Sequence, residues 1–155
     1  MAVAFLMTSG PTPAQLAAKG AGEGMPIVGA HSVGVEDGGA GLPLTGWSTV
    51  GGDLRVPHFF GLQALQTLPL LGFLLASSGP AWLRSGYRVA LVWTAGMTYL
   101  GLVVLLTWQA LRGQSLIAPD AITLGTLFAL LVAAGATATV VALHARSLQA
   151  RGGRR

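Results

Sequence analysis

Near the middle of the chain, His58, Gln63, Gln66 and Thr67 put an imidazole, two amides and a hydroxyl into a stretch that is otherwise apolar. At about 100° per residue they fall within half the circumference of a helix. Polar side chains on a membrane-spanning helix usually face the bundle interior, where they join helices or serve a ligand, ion or proton path. One reading is interhelical hydrogen bonding by Gln66 and Thr67, with His58 at the outer interface. The functional readings are a metal or haem ligand, a proton relay, or a small-molecule pocket. A bis-histidine haem is excluded, because His58 and His144 start and end different spans, about 30 Å apart. His31 could reach His58 with Asp37 or Asp53 nearby, but that spacing fits no metal motif. The expectation is therefore no metal and no cofactor, with His31 and His58 as the sole candidates.

Catalytic residues are not apparent. The chain has no cysteine, which removes thiol nucleophiles, thiolate metal sites and disulfides. Its serines lack a G-x-S-x-G context. The Glu36-Asp37-Gly38-Gly39 segment lacks the Gly-Lys-Ser/Thr of a phosphate loop, and two adjacent acids are too few for a calcium site. Asp53 and Arg55, two apart at the edge of an apolar run, read either as a helix N-cap beside a phosphate-facing arginine or as an ion pair anchoring the preceding loop.

The elements that position these residues follow from composition. Of 155 residues, 52% are hydrophobic and 9% are charged, against about 25% charged in a soluble domain. So few charges leave too little polar surface to face water, and the membrane class follows. The expected fold is an all-α bundle forming a single integral membrane domain over residues 1–155. It has three full spans, 56–77, 88–111 and 121–144, a partial N-terminal hydrophobic helix at 1–7, a long Gly-rich outer loop at 8–55, and a basic tail at 145–155. Residues 1–7 are too short to span. They read as a frayed end or as the outer end of a spanning helix that begins upstream. Thr12, Pro13 and Gln15 predict a short capped helix ended by Gly20. Gly20 to Gly52 holds 11 glycines in 33 residues without period, so it predicts a loop with short extended pieces, with Trp47 at the headgroup level. Pro69 predicts a kink in the first span, because it withholds a donor from the Leu65 carbonyl.

Charge placement sets the orientation. Arg84, Arg88, Arg146, Arg151, Arg154 and Arg155 flank one side with no acid, while all five acids lie on the other. By the positive-inside rule the C-terminus is cytoplasmic and the Gly-rich loop is outside. The net charge of +4 does not signal nucleic acid, because four of the nine basic residues sit in the last ten positions. Helices in lipid associate through small residues and interhelical hydrogen bonds. Gly125, Ala129, Ala133 and Thr137 form one stripe on the third span, and Ala90, Thr94, Thr98 and Gly101 a similar one on the second. The two stripes are expected to face each other, the alternative being self-association through the third span. Expected partners are the lipid bilayer and either further copies of the chain or other membrane subunits.

The segment Gly46 to Gln66, GWSTVGGDLRVPHFFGLQALQ, together with Gly29-Ala30-His31-Ser32-Val33-Gly34, resembles an uncharacterised family of bacterial multi-pass integral membrane proteins. The string GGDLR-x-PHF-x-GL is the most specific part. The resemblance implies a small inner-membrane protein whose relatives often carry a further hydrophobic segment ahead of MAVAFLM. In those relatives a second histidine often stands where this chain has Gln63, so a two-histidine site on this helix is not expected. The family supplies no activity. A structural or assembly component is the leading expectation, ahead of a small channel or carrier using the polar face of the first span, and of a metal- or haem-linked redox protein.

Overall fold

The computed structural model describes residues 2–7, 13–21 and 31–152. Thr12, Glu23, Ile27, Val28, Gly29, Ala30, Arg154 and Arg155, and the side chain of Gln15, lie outside that description. The elements in order are α1 (Ala2–Leu6), α2 (Pro13–Gly20), β1 (Ser32–Val33), β2 (Gly52–Asp53), α3 (Arg55–Ser77), α4 (Ser85–Leu111) and α5 (Ala121–Gly152). Three of them, α3, α4 and α5, are long and apolar enough to cross a membrane.

Two boundaries differ from expectation for a plain reason. Helix α5 does not stop at 144 but runs to Gly152, because Ala145, Arg146, Leu148, Gln149, Ala150 and Arg151 are strong helix formers and no Gly or Pro interrupts them. His144 therefore lies inside the helix rather than beside its C-terminus. Helix α4 begins at Ser85, three residues ahead of the expected 88. Helix α3 passes through Pro69 as one continuous element.

The chain divides into two compact units. The first comprises residues 1–61 and 103–124. Here the segment 31–54 is folded, not an open loop. Strands β1 and β2 pair antiparallel, Ser32 opposite Asp53 and Val33 opposite Gly52. A further bridge joins Gly41 to Ser48, and the turn between them holds Leu44 at φ 72°, fully exposed. This cap rests on the end of α4. Leu54, Val56, Leu105, Leu106 and Ala110 are buried, and Pro57 is completely enclosed. Gly52 is required at its position: a Cβ there would sit 2.8 Å from the Ala110 carbonyl carbon, and nearer still to its oxygen.

The second unit comprises residues 62–102 and 125–155. Its helices pack on small residues, as expected where lipid supplies no hydrophobic drive. Open Cα positions at Gly72 and Gly96 lie against Val92 and Leu68, and Gly101 lies against Leu130. Arg88 closes the α3–α4 turn. Its Nε donates to the Leu83 carbonyl at 2.7 Å and its Nη1 to the Ala76 carbonyl at 3.0 Å, which satisfies a carbonyl otherwise orphaned at the end of α3.

Candidate functional site

Asp53 is the hub of the first unit. It is 3% exposed, and a carboxylate that dry must be paired and hydrogen-bonded. Its Oδ2 accepts the Ser48 N–H at 2.9 Å, and its Oδ1 accepts the Arg55 N–H at 2.9 Å. The Arg55 guanidinium grips both oxygens, with Nη2 to Oδ2 at 2.6 Å and Nε to Oδ1 at 3.0 Å. The same Nη2 donates to the Gly46 carbonyl at 2.6 Å. Asp53 thus opens α3 and pairs with Arg55 at once, and Arg55 carries that pair into the Gly41–Ser48 turn. Burial works to raise the Asp53 carboxyl, but the Arg55 guanidinium and the Ser48 and Arg55 N–H groups outweigh it and hold it below the usual carboxylate range.

A second chain of bonds ties the cap to the α4–α5 turn. Ser115 Oγ donates to the Ser48 carbonyl at 3.1 Å, and Gln109 Nε2 donates to the Ser115 carbonyl at 2.8 Å. Gln109 and Ser115 are 4% and 5% exposed. The sequence reading did not single them out. The available signal was Gln109 itself, the one amide in an uncharged run from Val89 to Leu111. At the head of α5, Asp120 accepts the Thr123 N–H at 2.8 Å and pairs with Arg112 at 2.6 Å. That guanidinium, with the Thr123 donors, holds the Asp120 carboxyl far below its usual range.

The polar face of α3 is arranged otherwise than expected. Gln63, Gln66 and Thr67 are exposed on the outside of the helix, and no described side chain pairs with either amide. Thr67 satisfies itself by donating to the Gln63 carbonyl at 3.0 Å. His58 is separate from them, half-buried, with its Nδ1 enclosed and without a hydrogen-bond partner among the described residues. His31 turns to Asp37 instead, Nδ1 to Oδ1 at 3.3 Å. Among the described residues no group of three or more His, Cys, Asp or Glu could hold a metal ion. His144 meets the edge of Tyr87, with ring centroids 5.9 Å apart.

The small-residue stripes also divide. Thr94 and Thr98 of α4 face α5 across a groove of about 430 Å³, but α5 presents Leu127, Leu130, Ala134 and Ala138 to it. Gly125, Ala129, Ala133 and Thr137 lie on the exposed side, and nothing approaches the Gly125 Cα. The expected facing of the two stripes is therefore corrected. Helix α5 is apolar all round, and spacing alone gives no sense of inside or outside. Thr94 and Thr98 return their hydroxyls to their own helix, at the Ala90 and Thr94 carbonyls. Neither a family model, a curated protein nor a solved structure matches this chain.

Proposed function

We propose that this chain is an integral protein of a bacterial inner membrane and acts as a structural or assembly component, joined to further copies or to other membrane subunits through the polar face of α3. The observation that carries the reading is the outward placement of Gln63 and Gln66, whose amides have no partner among the described residues. Gln66 is the central residue of the 23-residue helix, about 16 Å from either end at 1.5 Å per residue. Its side chain is far too short to reach an interface. An amide left unbonded in hydrocarbon costs several kcal/mol, about 4 or more against an alkane reference. A helix from another subunit removes that cost. A channel would instead gather these residues around an internal path, and here they face away from the neighbouring helices.

The same reading puts the C-terminus in the cytoplasm and the 31–54 cap outside, supported by the arginine-only flank around Arg84 and Arg88. The GGDLRVPHFFGL string supports membership of the uncharacterised membrane family that it resembles. The test is the mass of the protein extracted in native lipid discs. The expected result is a particle heavier than one 15.8 kDa copy with its lipid, reduced to one copy in a Gln63→Leu, Gln66→Leu double variant. A single-copy particle from the unmodified chain, or an ion or solute flux in proteoliposomes that Gln66→Leu abolishes, overturns the reading.

A further inference from the structure

The second unit holds no acid, since all five acids of the chain lie at 23, 36, 37, 53 and 120. Its cations therefore have no carboxylate of their own within the unit. Arg146 lies 4.6 Å over the Trp82 ring, whereas Arg88 is fixed among backbone carbonyls. Its three hydrogen bonds go to the carbonyls of Leu83, Ala76 and Gly79. A guanidinium has five N–H donors, so two remain, and the full positive charge remains with them.

Directly beside this cation a groove of about 530 Å³ runs between α3 and α4. Leu68, Gly72 and Ala76 form one wall, Val92 and Gly96 the other, and Ser85 and Arg88 stand at its end. The glycines make the groove, because ideal Cβ atoms at Gly72 and Gly96 would only just touch Val92 at 3.9 Å and Leu68 at 3.8 Å. From Ala76 to Leu68 the groove covers eight helical rises, about 12 Å. It is apolar along that length and cationic at the end where α3 and α4 turn.

We propose that this groove is a binding site for one anionic phospholipid, its acyl chain along Gly72 and Gly96 and its phosphate on Arg88. Two features select that occupant over a bulk lipid or another helix. The charge at the mouth has no carboxylate within its unit and is held by three carbonyls, so it favours a net-negative headgroup, and a guanidinium matches phosphate oxygens as a planar fork. The lining is apolar and the groove is open to the surface, so it admits a flexible chain attached to that headgroup. The inference uses the membrane location but not the assembly role, so either can fail alone.

The test is native mass spectrometry of the full chain released from detergent after exchange into equal phosphatidylglycerol and phosphatidylcholine. The expected result is retention of one phosphatidylglycerol, favoured about tenfold, and not displaced by excess inorganic phosphate. Arg88→Gln is expected to lose the preference, and Gly96→Leu, which fills the groove and leaves Arg88 intact, to lose the bound lipid. Arg84→Gln, which removes a neighbouring charge outside the groove, is expected to retain it. Circular dichroism identifies a variant that fails to fold, and Gly96→Leu then decides the matter without touching the turn. Equal retention of the two lipids, displacement by phosphate, or a Gly96→Leu protein that still holds phosphatidylglycerol overturns the proposal.

Discussion

Replacing Gly52 by alanine tests how the cap is held. The new Cβ would lie 2.8 Å from the Ala110 carbonyl carbon and 3.0 Å from its Cα. Ordinary contact begins near 3.4 Å, and both sides of this contact are backbone, so no flexible side chain can swing away. Overpacking of this kind costs about 1–3 kcal/mol, and the rigid partners put Gly52→Ala at the upper end. About 3 kcal/mol is roughly a hundredfold in the opening equilibrium of the cap. Hydrogen exchange by mass spectrometry in detergent reads it directly. Protection across 31–54 is expected to fall about a hundredfold while α5 is unchanged. Gly39→Ala is the control, since its nearest neighbour would be the Glu36 carbonyl at 3.8 Å. Undiminished protection in Gly52→Ala would show that the cap does not rest on Ala110 as described.

Asp53→Asn removes the charged partner of the part-exposed Arg55 and should loosen the cap by about 1–3 kcal/mol. The Asp53 carboxyl is depressed in the folded state, so its contribution is complete above about pH 4 and is lost as pH falls through the depressed value. Cap protection in the unmodified chain should therefore fall on acidification below that range, and in Asp53→Asn the fall should be smaller, since Asp37 still bonds Ser32 and His31 within the cap. Gln109→Leu removes one of two donors to the Ser115 carbonyl, which keeps the Ala118 N–H at 3.2 Å, an effect of about 0.5–1.5 kcal/mol on the same protection. Asp120→Ala should speed exchange of the Thr123 amide, whose acceptor it removes, and leave the melting of the whole protein unchanged.

The three long helices were legible because each is a run without charge bounded by turn residues, and length alone then fixes the type. Asp53 was legible as a helix cap, but spacing left Arg55 open between facing phosphate and pairing with Asp53, and the structure shows the pair. The cap's fold was not legible. It depends on Gly52 meeting Ala110 and on Ser48 meeting Ser115, which lie 67 residues apart. Nothing in a Gly-rich stretch announces such partners. Which face of α3 and α5 turns inward was also hidden. In water an apolar stripe marks the buried side of a helix. In lipid both sides are apolar, so Gln66 and Gly125 carry no sign of direction until neighbours are placed.

The lack of cysteine gives the most direct measurement of the central claim, that the chain crosses a membrane with its cap outside and its arginine flank inside. Thr45→Cys and Gln149→Cys would each carry one thiol at an exposed position. A membrane-impermeant maleimide applied to intact spheroplasts should label Thr45→Cys at once and Gln149→Cys only after permeabilisation. Labelling of both before permeabilisation, or of Gln149→Cys alone, would contradict the account.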